Sequence, residues 1–211
     1  MNIAVPLLSV QPVGVSILRD KGCLEGFRDP ACAAAIWDRP LPPDVMKWLA
    51  EIDTDALPNG RVVLQAQAVK DTVLHLCNIA GMPDASQRAW LIEDIAMLAE
   101  RFAGLMQATY VRLRLQTVTT NACRKFHLDA ITGRLVCTYR GQGTQYGTSV
   151  KGEEPEHICT TPTGAPILLR GTLWPPKPAV GLLHRSPPIE GTGETRLVLV
   201  LDPIFDLEDA E

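Results

Sequence analysis

At 211 residues the chain has room for one large domain, or a compact core with an extension. Apolar residues make up 46% and charged residues 21%, a balance that builds a core and excludes intrinsic disorder. A net charge of −4 gives no electrostatic footprint for DNA or RNA, and no apolar run approaches the ~18 residues of a membrane span, so neither nucleic acid nor membrane is an expected partner.

In chain order, Met1 to Val15 is apolar but lacks a basic leader and contains Pro6 and Pro12, so it reads as an extended segment rather than a signal peptide. Pro42 to Ile52 places Val45, Met46, Trp48, Leu49 and Ile52 at helical spacing. Val62 to Ile79 carries Val62, Ala66, Val69, Val73 and Cys77 on one helical face and stops at Gly81-Met82-Pro83. Ser86 to Met106, with Ser86 in the N-cap position, is the strongest helical pattern. After residue 108 the residues favour strands. Tyr110 to Thr120 alternates Val111, Leu113 and Leu115 against Arg112, Arg114 and Gln116. Strands over 134–139, 165–170, 181–184 and 195–202 follow, with Gly- and Pro-rich turns between them. The last, TRLVLVLD, is apolar on both faces and belongs at the centre of a sheet. The chain divides into supporting helices over 1–108, a strand-rich core over 109–205 and an acidic tail over 206–211, together one structural unit with the short strands of a barrel or sandwich.

Chemistry concentrates in the strand-rich half. His127-Leu128-Asp129 is followed after 54 residues by His184, and after 11 more by Arg196. Residues two apart in an extended chain share a face, so His127 and Asp129 can reach one metal ion. Two imidazoles and a carboxylate occupy one face of an octahedral Fe(II) and leave three positions open. Arg196 lies on a strand too apolar to hold an unpaired cation cheaply. Its partner is either Glu190 or Glu194 nearby, or the carboxylate of a ligand. A rival set is Cys123 with His127 and His157 with Cys159, whose thiolates and imidazoles suit Zn(II) in a sensory or homeostatic protein. Cys123 or Cys137 beside His127 would make a nucleophilic dyad, but neither has an orienting acid. The six cysteines include no C-x-x-C pair and are expected as reduced thiols in the cytoplasm.

H-x-D…H with an arginine about a dozen residues on, behind a helical half, resembles the Fe(II)/2-oxoglutarate-dependent dioxygenase superfamily over roughly Tyr110 to Asp202. The stretches CRKFHLDAITGRLVCTYRGQGTQY and GLLHRSPPIEGTGETRLVLVLD resemble, more narrowly, the bacterial domain-of-unknown-function family 1826. The resemblance implies an α+β fold: N-terminal helices packed on a C-terminal double-stranded β-helix, a jelly-roll or cupin-like barrel spanning 109–205. It implies Fe(II) on His127, Asp129 and His184, with Arg196 anchoring the far carboxylate of the co-substrate 2-oxoglutarate and the Tyr139 hydroxyl assisting. Arg124, Gln145 and Tyr146 fall on the implied substrate rim. The implied activity is hydroxylation of a small molecule or protein side chain, coupled to conversion of 2-oxoglutarate to succinate and CO₂. The spacer before Arg196 is about one residue longer than the commoner pattern. Oligomeric state and substrate identity stay open.

Overall fold

Alternation and burial build the central sheet. The computed structural model describes residues 11–19, 23–149, 153–175 and 181–210, so residues 1–10 of the expected extended segment lie outside it. The longest strands are β4 (Tyr110–Val118), β5 (Gly133–Arg140) and β10 (Arg196–Ile204). Strand β10 lies between β5 and β4, antiparallel to both, and all nine of its residues are buried, as its two apolar faces require. Strands β1 (Val15–Leu18), β2 (Ala34–Trp37), β3 (Gly60–Leu64) and β8 (Ile167–Arg170) complete a seven-stranded sheet in the order β1-β2-β8-β5-β10-β4-β3. Strands β6 (Gln145–Thr148), β7 (Cys159–Thr160) and β9 (Leu182–Arg185) form a second sheet in the order β7-β6-β9.

Each face of the large sheet has its own core. Leu113 and Leu115 of β4, Cys137 and Tyr139 of β5, and Leu197, Leu199 and Leu201 of β10 pack outward against a helical layer. That layer is α1 (Pro43–Glu51), α2 (Val69–Ile79) and α3 (Ser86–Met106), with Leu91, Ile95, Leu98 and Phe102 of α3 fully buried against the sheet. Fully burying one such side chain stabilises by about 1.5–3 kcal/mol. On the inner face, Val136, Ile167, Leu169, Val198 and Val200 pack against Tyr146 and Leu182 of the small sheet. The result is α+β, with helices supporting a double-stranded β-helix. Among the described residues no helix is long and apolar enough to cross a membrane.

Two local expectations need correction. The segment from Val62 to Ile79 is not one helix: Val62 and Val63 belong to β3, and α2 begins only at Val69. At the sheet edge beside β4, β-branched residues gain more as a pairing strand than as a first helical turn. Ser86 is the first residue of α3, not its cap; its hydroxyl bonds Gln87. The predicted stop after α2 is present as a Schellman ending. Gly81 has φ +69°, its N–H donates to the Asn78 carbonyl, and the Met82 N–H donates to that of Cys77.

Candidate metal centre

The loop after β4 delivers His127 to the end of β9. His127 and His184 form a two-residue antiparallel bridge, with N–H···O distances of 3.0 and 3.1 Å, and their rings lie 4.5 Å apart. Three backbone bonds then pin the following residues to the segment after β8: Thr172 N–H to Asp129 O, Leu173 N–H to Ile131 O, and Gly171 N–H to Thr132 O. Only glycine fits at 171, since a Cβ there would stand 2.0 Å from the Ile131 carbonyl oxygen and 2.8 Å from that of Asp129.

The three side chains converge. Asp129 Oδ2 lies 3.1 Å from His184 Nε2, and Oδ1 lies 3.5 Å from His127 Nε2 and 2.7 Å from Arg134 Nη1. The His127 Nδ1–H donates to the Lys125 carbonyl at 2.9 Å, which leaves Nε2 as the lone-pair nitrogen facing the carboxylate. Asp129 Oδ2 is buried and has no donor aligned with it, although His184 Nε2 is close. Burial pushes the Asp129 carboxyl up, but His184, Arg134 and His127 outweigh it and hold the group down at about 2. Burial pushes the His184 imidazole below its ordinary value, against the pull of Asp129, and favours the neutral ring. An ionised carboxylate and a neutral imidazole are the protonation states of metal ligands. The three ligand atoms lie within 4.8 Å of one another, and this is the only such group among the described residues. Two nitrogens and one carboxylate oxygen, with one orphaned buried lone pair, suit a divalent ion that keeps open positions.

Around this cluster runs a charged network on the inner face of the large sheet. Arg134 of β5 holds Asp129 and also clasps Asp202 of β10 through Nε and Nη2, at 2.6 and 3.0 Å. Arg114 of β4 reaches the same Asp202 at 3.2 Å. A cleft of about 120 Å³ opens here, lined by His127, His184, Arg114, Arg134, Arg196 and Cys123 among others. Arg196 is 2% exposed; its Nε donates to the Gln142 carbonyl at 2.7 Å and its Nη2 to Thr138 Oγ1 at 3.3 Å. No carboxylate pairs with it among the described residues. Glu190 is taken by Asn121, and Glu194 by the backbone N–H and side chain of Gln142. The spacer before Arg196 turns at Gly191 and Gly193, with φ of +78° and +76°, while Asn121 Oδ1 accepts the Ile189 and Glu190 N–H groups.

Several expected site residues stand elsewhere. Tyr139 faces the helical layer, not the cleft: it is 1% exposed and its hydroxyl donates to Asp94 of α3 at 2.6 Å. Alternation along β5 puts Tyr139 on the outer face with Leu135 and Cys137, and Thr138 on the inner face beside Arg196. Tyr146 is fully buried in the inner core with its hydroxyl on Gln11, so it packs rather than lining the cleft. Gln145 stands behind the rim, accepting from Arg185 Nε at 2.7 Å. Arg124 is exposed, and only its carbonyl turns toward Arg185. The cysteine-based zinc set does not assemble, since neither Cys123 nor Cys159 joins a metal-competent group. Cys137 is buried on the helical side, where burial pushes its thiol up to about 12, which removes it as a nucleophile. Arg114, Arg134, Thr138 and Asp202 were not anticipated. Alternation alone puts Asp202 on the face of Arg196, Val198 and Val200.

Comparison with solved structures supports the architecture. A rice dioxygenase for auxin oxidation is 14% identical, superposes with a TM-score of 0.50, and matches 91% of this chain and 83% of its own. An Arabidopsis thaliana dioxygenase for auxin oxidation, solved with 2-oxoglutarate, is 11% identical over 79% of this chain and 74% of its own, with a TM-score of 0.47. JOX2, solved in complex with 2OG, Fe and JA, is 12% identical over 93% and 75%, with a TM-score of 0.48. The likeness to the rice enzyme supports the double-stranded β-helix as the fold. No curated protein matches the sequence. Within that fold the chain belongs to the family described as Protein of unknown function (DUF1826), which matches residues 19–202.

Proposed function

We propose that the protein is an Fe(II)/2-oxoglutarate-dependent oxygenase acting on a small molecule or a protein side chain. His127, Asp129 and His184 hold the iron, and Arg196 binds the distal carboxylate of 2-oxoglutarate. The observation that carries this reading is Arg196. A guanidinium 2% exposed and without a counter-carboxylate is costly, and it lines the same cleft as the His/Asp/His cluster. A bidentate carboxylate supplies the missing charge. Loaded with iron and 2-oxoglutarate, the centre would couple O₂-dependent oxidation of a substrate C–H bond to conversion of 2-oxoglutarate to succinate and CO₂.

The chain's own residues orient and enclose. Thr138 and the Gln142 carbonyl fix the Arg196 fork. Arg134 steers the Asp129 carboxylate by holding Oδ1, leaving Oδ2 toward His184. Val136, Val198 and Val200 give the cleft an apolar wall that limits water at the reacting centre. The test is succinate production from 2-oxoglutarate by the protein alone, with Fe(II) and O₂. Slow production that disappears in His184→Ala is expected; production equal in wild type and His184→Ala would overturn the reading.

A further inference from the structure

The inner face of the large sheet is covered only in part. The inner core draws on strands β1, β2, β5, β6, β7, β8, β9 and β10, and includes no residue of β3 or β4. Where the small sheet does not reach, that face presents Arg61 of β3 and Arg114 and Gln116 of β4. Gln116 is exposed, and Arg114 and Gln116 both line the cleft. Arg61 and Arg114 stand directly opposite each other in the β3–β4 register, so two guanidiniums share one cross-strand position. Like charges placed this way repel.

The local acids do not resolve this repulsion. Asp202 is already clasped by Arg134 through two bonds, and Arg114 reaches it only through Nη2. The Arg114 Nε is buried and without a hydrogen-bond partner. Arg61 is exposed, with no carboxylate in ion-pair range among the described residues. An anion seated between the two guanidiniums would relieve the repulsion. This position is distinct from Arg196. On β10, Val200 is in register with Arg114, four residues from Arg196, or about 13 Å along the strand. It also adjoins the His/Asp/His cluster, because Arg134 touches both Asp129 and Asp202.

We propose that the substrate is an anion whose carboxylate or phosphate group is received by Arg114 and Arg61 at the open β3–β4 side of the cleft. This rests on the oxygenase reading for the word substrate; the anion site itself does not. Arg114 binds the group from the cleft wall, and the exposed Arg61 steers and clamps it from the neighbouring strand.

The experiment is a titration of ¹⁵N-labelled protein with inorganic phosphate, and separately with acetate, following arginine Nε–H resonances. Chloride at matched ionic strength is the control, and Arg114→Gln assigns the resonance. A saturable shift of the Arg114 signal with phosphate or acetate, but not chloride, is expected, and the tighter probe names the group. Arg61→Gln, at an exposed position that leaves the fold intact, should weaken binding at least threefold, whereas Arg196→Met should leave it unchanged. No saturable shift would overturn the proposal. So would binding lost in Arg196→Met but indifferent to Arg61→Gln, which places the anion in the co-substrate pocket. Anaerobic binding of Fe(II) and 2-oxoglutarate is read on the same samples. Its absence beside intact phosphate or acetate binding would sink the oxygenase reading alone; its presence without such binding would sink this inference alone.

Discussion

Replacing Arg196 by methionine separates a ligand anchor from a structural cation. Burial pulls the Arg196 guanidinium below its ordinary value, down to about 10, with Glu194 offsetting part of the fall, and that gap disfavours the charged form in the folded state by about 3 kcal/mol. Because the folded value lies below the unfolded one, this penalty is full at neutral pH and fades only as pH rises above about 10. Against it stand the bonds to the Gln142 carbonyl and Thr138, about 1.5–3 kcal/mol each for a charged donor. The two bonds exceed the penalty by at most about 3 kcal/mol, so Arg196→Met should change ligand-free stability by no more than that. Its effect on 2-oxoglutarate should be far larger. At a hundred times its Kd, 2-oxoglutarate stabilises the wild type by about 2.7 kcal/mol, and at about 2–4 °C per kcal/mol this raises the melting temperature by about 5–11 °C. Losing a buried charged partner costs about 2–5 kcal/mol of binding, a factor of about 30 or more. The same concentration then adds less than about 1 kcal/mol. Anaerobic thermal melts with Mn(II), with and without 2-oxoglutarate, read both quantities. A variant that keeps the full wild-type shift would refute the anchor role, and ligand-free destabilisation beyond about 4 kcal/mol would mark Arg196 as structural.

Other substitutions probe the supporting residues. Arg134→Ala removes the group that orients Asp129 and should weaken metal affinity about 10–100-fold, measured by competition with a chromogenic chelator. Gly171→Ala forces a Cβ against the Ile131 and Asp129 carbonyls, so it should displace the loop and abolish metal binding while α3 and the outer core keep their far-UV circular dichroism. Tyr139→Phe should cost about 1–2 kcal/mol in urea unfolding through the lost bond to Asp94, with 2-oxoglutarate affinity unchanged. Native alkylation followed by peptide mass mapping should label the exposed Cys123 well before the buried Cys32, Cys77 and Cys137, and Cys123→Ser should retain the metal. Loss of metal in that variant would restore the cysteine-based zinc reading.

The strand-rich half was legible because its periodicity is clean. Strands β4 and β10 announce themselves by alternation and by a doubly apolar run, and the long helix α3 by its apolar face. Strands β2 and β3 were hidden. β2 is alanine-rich and carries little strand preference, and β3 happens to place Val62 in helical phase with Ala66 and Val69. The H-x-D…H cluster was readable because its three residue types have few other reasons to recur in that order. Tyr139 misled because its role came from the resemblance alone, whereas alternation along β5 sets it on the outer face with Leu135 and Cys137 and leaves Thr138 beside Arg196. The Arg134–Asp202–Arg114 network was concealed for a different reason: its members come from three strands whose neighbours are known only once the sheet is ordered.

The most direct measurement is an anaerobic titration of metal-stripped protein with Fe(II) and then 2-oxoglutarate, following the visible metal-to-ligand charge-transfer band, with His127→Ala and Arg196→Met run beside the wild type. The account predicts a saturable band in the wild type, none in His127→Ala, and one that needs about 30-fold or more additional 2-oxoglutarate in Arg196→Met. A wild type that binds the metal yet gives no band at any 2-oxoglutarate concentration would contradict it.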